Sequence, residues 1–335
     1  MKTTRNWFVV LAGIALIIGL PKILPEHSIH VAIQILLFAY LSLCWNILGG
    51  FTGQLSFGHA LFMGVGAYTS TLLLLRFGIS PWIGMIAGGI LSALLGLFIG
   101  YLSFRYRIRG TYFALVTLAF TEVARIIALN TEAVGGAMGL YIPIQSNDLW
   151  QIKFVDKSQY YYVMLAFLLV AMGVTAWLER SVTGHKLIAI RENEDAAQAL
   201  GVSLVRYKLF ATALSAFFAA LGGTLYAHYV TFIDPQTLLN MNMALEITIY
   251  AIVGGIGTLI GPLLGALFLV PLAELVRATL GQSYAGVHLV VYGAVLIAVI
   301  LYAPDGFVGL LRSWRAKHGS FPSGGPSRAA TRAGA

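Results

Sequence analysis

The sequence predicts an all-α membrane protein of about ten transmembrane helices, with a range of eight to ten. Three observations carry that reading: the scarcity of charge, the length of the apolar runs and the placement of the arginines and lysines. Of 335 residues, 59% are hydrophobic and only 10% are charged, with a mean hydropathy of +0.83. A soluble domain carries roughly 25% charged residues, so this chain lacks the polar surface to cover itself in water. A membrane-crossing helix needs about 20 apolar residues. Runs approaching that length follow one another at 7–20, 29–48, 57–75, 81–103, 110–129, 160–178, 207–230, 244–256, 262–276 and 287–303. The eighth and ninth are short for an upright crossing, and the first is interrupted at Pro21.

The formal net charge is +8 and the pI about 9.6, and the position of the charge decides its meaning. Arg105, Arg107 and Arg109 share one short loop, and Arg180, Lys186, Arg191, Arg206 and Lys208 lie in or beside a second. Arg312, Arg315, Lys317, Arg328 and Arg332 crowd the tail. Basic clusters between apolar spans mark cytoplasmic segments. With a cytoplasmic N-terminus, the fourth, sixth and tenth runs all end inside, which puts all three clusters on one side. The expected protein is a multi-pass resident of the cell inner membrane, in contact with membrane lipid, with both termini cytoplasmic. No basic face comes with a recognisable binding module, so nucleic acid is not an expected partner.

The first run begins with Lys2 and Arg5 like a signal peptide, but no small-residue cleavage site precedes Pro21. It is therefore expected to remain as an uncleaved helix. Residues 1–311 are expected to form the transmembrane domain, with 179–206 a cytoplasmic loop and 130–159 an external one. Residues 312–335 turn to Gly, Ser, Pro, Ala and Arg and are expected to be a disordered cytoplasmic tail. Cys44 is the only cysteine, which excludes an intramolecular disulfide. His27 and His30 lack a third ligand, so no metal site is assigned. No cluster of His, Asp or Glu shows catalytic spacing, so no catalytic residue is assigned and an enzyme is not expected.

Two places interrupt the helical pattern in the same manner. Gly49, Gly50, Gly53 and Gly58 punctuate one, and Gly254, Gly255, Gly257, Gly261 and Pro262 the other. Broken backbone is tolerated in lipid only where protein or a watery cavity satisfies it. Paired interruptions in two parts of a chain point to a translocation pathway, while close helix packing also favours glycine. The candidate pathway residues are Gly53, Gln54, Ser56, Gly58, His59, Gly254, Gly255 and Gly257, joined by the intramembrane pair Glu122 and Arg125. That pair lies three residues apart on one helical face, so its members can bind each other or face a zwitterion. His59 has the same two readings, packed side chain or pathway lining. Glu274 and Arg277 repeat the spacing near an outer helix end, and Glu246 sits close to the start of a span.

The longest polar stretch outside the tail is 181–207. Within it, 187–190 and 195–200 have the composition of short helices, with Gly201 a stop and Ser203 a possible cap. A short charged helix held at the cytoplasmic face suits a socket in a partner protein.

Here the sequence resembles the branched-chain amino acid permeases of ATP-binding-cassette importers, over about 48–309. The block Ala189-Ile190-Arg191-Glu192-Asn193-Glu194, then Ala196-Ala197, Gly201 and Tyr207-Lys208-Leu209, is similar to that family's cytoplasmic coupling loop. Asp195 stands where the general coupling motif has glutamate, and the later Ile-x-Leu-Pro part of that motif is missing. Gly49-Gly50-Phe51-Thr52-Gly53-Gln54-Leu55-Ser56-Phe57-Gly58-His59-Ala60, Arg109-Gly110-Thr111-Tyr112-Phe113 and Gly254-Gly255-Ile256-Gly257-Thr258 also look like this family. Pro304-Asp305-Gly306 closes the last span in the same manner.

The resemblance implies the longer of two related membrane subunits. It implies a second, different permease as partner, two cytoplasmic ATPases docked on the coupling loops and a periplasmic substrate-binding protein. The substrates it implies are branched-chain or other hydrophobic amino acids, with ATP and Mg on the ATPases and no cofactor on this chain. One part stands without the resemblance: no lysine directly follows a glycine, so the chain has no Gly-Lys-Ser/Thr phosphate loop. A secondary transporter or channel driven by an ion gradient is the competing expectation. It explains the broken helices but gives the 189–201 block no purpose.

Overall fold

Inside a bilayer the backbone has only itself to bond to, so each apolar run is forced toward helix. The computed structural model describes residues 25–143 and 148–280, with Gly19, Pro21, Gly293, Ala294, Ile297, Leu301 and 306–309. Its helices are α1 (Glu26–Thr52), α2 (His59–Phe77), α3 (Pro81–Arg105), α4 (Thr111–Leu129), α5 (Lys157–Arg180), α6 (Val182–Glu192), α7 (Glu194–Ala199), α8 (Leu204–Val230), the single turn α9 (Pro235–Leu238), α10 (Met241–Gly255) and α11 (Gly261–Leu280). Seven helical stretches are long and apolar enough to cross a membrane: α1 to α5, α8, and α9 with α10 taken together. The eighth run, short in the sequence, gains length because Asp234 and Asn240 cap two successive helical starts ahead of it. Beyond the single positions named, the first and tenth expected crossings and the 312–335 tail lie outside the described residues.

Helix α1 is the centre: every residue of 39–52 is buried. Helices α2, α3 and α8 close on one another through small residues, the packing a lipid environment favours. A Cβ added to Gly66 would sit 2.6 Å from Ala220 Cα, and one on Gly84 2.8 Å from Ser70 Cα. Hydroxyls tie the same faces together, with Ser92 donating to Ala216 O (3.1 Å) and Thr224 to Gly66 O (3.2 Å). Helix α4 is peripheral and leaves Tyr112, Leu115, Val123, Ile126 and Ile127 exposed.

The loops gather at two ends. At one end the α3–α4 turn meets α6, α7 and the start of α8, where Arg109 pairs with Glu194. This basic end has its own small core of Leu187, Leu178, Phe51, Phe104, Phe113 and Ala211. At the opposite end β1 (Leu140–Tyr141) pairs antiparallel with β2 (Phe232–Ile233). There Ser80 and Trp82, at the start of α3, donate to the carbonyls of Trp150 (2.6 Å) and Leu149 (3.0 Å).

With 105–109 and 181–203 at one end and 130–143 and 148–156 at the other, reporter fusions test sidedness directly. Fusions in 105–109 and 181–206 should report cytoplasm, and fusions in 130–159 the outside. A cytoplasmic signal from 130–159 would invert the topology.

Candidate functional site

The two glycine-rich interruptions lie far apart in sequence and meet in space. Helix α1 continues through Gly49 and Gly50 to Thr52, so the true break is 53–58, with Gly53 at φ +69° as the α1 C-cap. The second break follows Gly255 and includes Gly257 at φ +72°. The buried side chain of Asn46 bridges them: its Oδ1 accepts from Gly257 N–H (2.8 Å) and its Nδ2 donates to Thr258 O (2.9 Å). The approach is so close that a Cβ on Gly50 would lie 2.7 Å from Gly257 N.

Arg191 completes the junction. Its guanidinium donates to Gly50 O (2.8 Å), one of the carbonyls a helix leaves unpaired in its last turn, and its side chain packs over Gly53 and Gly257. A cation at a helix C-terminus also opposes the negative end of the dipole. The α1–α2 break has its own partners. Trp45 Nε1 donates to Ser56 O (2.8 Å), Phe57 N–H to Thr117 Oγ1 (3.0 Å) and Gly58 N–H to Ser56 Oγ (3.2 Å).

Arg191 belongs to a segment more helical than the sequence suggests: α6 runs over 11 residues where 187–190 were expected, and α7 matches the expected 195–200 shifted by one residue. Ser181 caps α6 by accepting from Gly184 N–H, and Asn193 both ends α6 and caps α7 by accepting from Ala196 N–H (3.0 Å). Leu187 and Ile190 are buried and anchor α6, while Ala189 is exposed. Lys186 donates to Tyr207 Oη (2.7 Å) at the start of α8. Gly201, at φ +84°, turns the chain toward α8.

The acidic residues of this segment divide. Glu194 turns inward, accepting from Lys208 Nζ (2.5 Å), Arg109 Nε (3.0 Å) and Gln54 Nε2 (3.1 Å). It thereby ties α7 to α8, to the α3–α4 turn and to the first break. Lys208 is buried, its side chain 4% exposed. Glu192 and Asp195 face out, 68% and 82% exposed, in pairs with Arg191 and Arg109. Ala197 is buried against its own chain, and Ala196 is exposed.

Of the remaining candidate pathway residues, Gln54, Ser56, Gly58, Gly254 and Gly255 are buried at the breaks. His59 is a packed side chain. Ser215 Oγ donates to Cys44 O (2.7 Å), so His59 Nε2–H is the donor to Ser215 (2.6 Å). Glu122 and Arg125 form a two-point ion pair with each other on the exposed side of α4. His30 spends its ring nitrogens on Tyr229 and Gln34. The Arg277 side chain lies outside the described residues.

Sequence reasoning missed Asn46, the burial of Lys208 against Glu194 and a cavity of about 260 Å³ toward the opposite end. Asn46 carried a signal, a lone amide in an apolar run. The cavity did not, because its lining comes from five separate elements: Phe38 of α1, Tyr226 of α8, Thr237 of α9, Asn242, Glu246 and Tyr250 of α10, and Glu274 of α11. Phe38 and Tyr250 meet edge to face at 5.4 Å.

A bundle of crossing helices, two of them broken face to face and clamped by a polar segment at one end, defines a multi-pass membrane protein of the permease class. The chain belongs to the family of branched-chain amino acid transport system permease components, whose model matches residues 28–300. Within it the chain is of the LivM type. It is 28% identical to the high-affinity branched-chain amino acid transport system permease protein LivM of Salmonella typhimurium, over 93% of this chain and 77% of the relative. It is 25% identical to a probable LivM of Methanocaldococcus jannaschii, covering 81% of this chain and 90% of the relative. It is also 28% identical to that organism's probable LivH, covering 76% and 83%. No solved structure matches the chain.

Removing one partner of a buried ion pair strands the other charge, at a cost of about 3 kcal/mol or more. Glu194→Gln should therefore lower the unfolding midpoint of the purified protein markedly, whereas Glu192→Gln, on an exposed carboxylate, should shift stability by less than about 0.5 kcal/mol. Equal effects in denaturant titrations would refute the inward role of Glu194.

Proposed function

We propose that the chain is the membrane-spanning subunit of an ATP-binding-cassette importer that moves branched-chain or other hydrophobic amino acids across the inner membrane. ATP and Mg act on two separate ATPase subunits at the basic end, which is then the cytoplasmic end. A related LivH-type permease completes the pathway, and a periplasmic binding protein delivers substrate to the opposite end. The observation that carries this reading is the clamp of α6 and α7 on both broken helices, through Arg191 and Glu194. A displacement imposed on α7 from outside has a continuous polar and packed route into the membrane. A gradient-driven carrier needs no such handle.

The cavity at the opposite end suits the cargo. Its lining combines the carboxylates of Glu246 and Glu274, the polar side chains of Asn242 and Thr237, and the aromatic rings of Phe38 and Tyr250. The lining is mixed, with Gln34, Asn240 and Asn242 beside Met243 and Val270, so polar and apolar parts of one small solute can both be met.

The test lies on the exposed side of α7. Ala196→Trp combined with Leu200→Asp alters residues that touch solvent in this chain, Leu200 being 85% exposed. The assembled complex should still form a stable bundle and bind substrate-loaded binding protein. It should lose substrate-stimulated ATP hydrolysis and uptake by about tenfold or more, the scale expected when a bulky group sits at an interface centre. Unchanged uptake in membranes shown to hold the complex would refute ATPase coupling and favour the gradient-driven carrier.

A further inference from the structure

The α3–α4 turn lies between two concavities that the transport reading does not use. On its inner side is a cavity of about 470 Å³. Arg105, Arg107, Arg109 and Lys208 line it against a single carboxylate, Glu194. The start of α8 closes the floor, where Ser203 makes no side-chain cap bond and Leu204 and Val205 face the space. First-turn amides of a long helix have no intrahelical acceptor and add positive potential there. Arg109 and Lys208 are already engaged by Glu194, whereas Arg107 is exposed and Arg105 touches only Tyr101 Oη at 3.2 Å. The surplus is cationic, and it stands where helices α3 and α4 leave the apolar zone.

On the outer side of the same turn lies a second groove, also about 470 Å³, which shares Arg107 and Arg109 with the first and continues along Tyr112, Leu115 and Val116 of α4. Tyr112 and Leu115 are 73% and 55% exposed. A phosphate diester would satisfy the arginines, and only an amphiphile would also cover the apolar strip running away from them. We propose that this turn is a binding site for an anionic phospholipid of the leaflet at the basic end. Its headgroup phosphate sits at Arg107, which lines both concavities, within reach of the neighbouring Arg105, and an acyl chain lies along Tyr112 and Leu115. Basic pockets between transmembrane helices take anionic headgroups for this electrostatic reason. Because Arg109 links the pocket to Glu194 and Asp195, the bound lipid is a direct neighbour of α7. The binding itself does not depend on the transport reading.

Native mass spectrometry of the purified protein tests the site without any activity measurement. The wild type should retain phosphatidylglycerol over phosphatidylcholine, and Arg105→Gln with Arg107→Gln should cut that retention by about tenfold, two cation contacts being lost. Arg105→Lys with Arg107→Lys should keep most of it, which separates charge from fold. Leu115→Gln should weaken it less but measurably. Equal retention of the two lipids by the wild type would overturn the proposal, as would undiminished phosphatidylglycerol on the double Gln variant. Displacement of the lipid by millimolar inorganic phosphate alone would also overturn it, since that outcome marks a soluble-anion site.

Discussion

A broken helix within a bilayer must find partners for the backbone groups that the break exposes, because each one left unpaired in hydrocarbon costs several kcal/mol. This chain breaks twice, and one buried amide and one guanidinium join the end of α1 to the second break. Asn46 takes an N–H and a carbonyl from the second break, and Arg191 takes a carbonyl from the end of α1. The spacing of α1, α10 and the segment after Gly255 follows from those three bonds. The glycines follow too: Gly257 holds a positive φ, and Gly50 leaves no room for a side chain beside Gly257 N. They show the close packing that the sequence left open as one reading of these glycines.

That solution has a mechanical consequence. The guanidinium that satisfies α1 is carried by α6, outside the membrane core, so α6 cannot move freely of the broken helices. Leu187 and Ile190 bury the same helix against the bundle, and Glu194 fixes the next one to Lys208, Arg109 and Gln54. Buried ion pairs contribute little net stability but strongly penalise separation of the partners. A segment held in this way transmits position rather than absorbing it.

The helical class and the two interruptions were legible in the sequence because they depend on local composition; of the eight expected runs among the described residues, seven match helical stretches long and apolar enough to cross. Helix ends were less so. The run at 244–256 reads as too short until Asp234 and Asn240 are recognised as caps, and the cap signal competes with ordinary loop polarity. The residues of the 189–201 block were found, but not their directions. Glu194 and Ala197 read as surface groups awaiting a partner, and only packing against α8 turns them inward. The cavity lined by Phe38, Glu246 and Glu274 was illegible, since no short stretch of sequence records which helices become neighbours.

The directions within that block obey one rule. In a helix, residues three apart share a face. Positions 194 and 197 are that pair in α7: Glu194 meets the buried Lys208 and Ala197 is buried. Asp195, Ala196 and Ala199 then fall on the opposite side, and all three are exposed, as is Leu200 just past the helix end. Asn193 sets this phase by ending α6 and capping α7 in one residue, so α7 cannot rotate without losing its cap and its ion pair together. The outer face mixes a carboxylate, two alanines and a leucine that lies 85% exposed. An exposed leucine alone needs no explanation. Just past a six-residue helix whose inner face is locked into the bundle, it sets an apolar group beside the exposed carboxylate of Asp195.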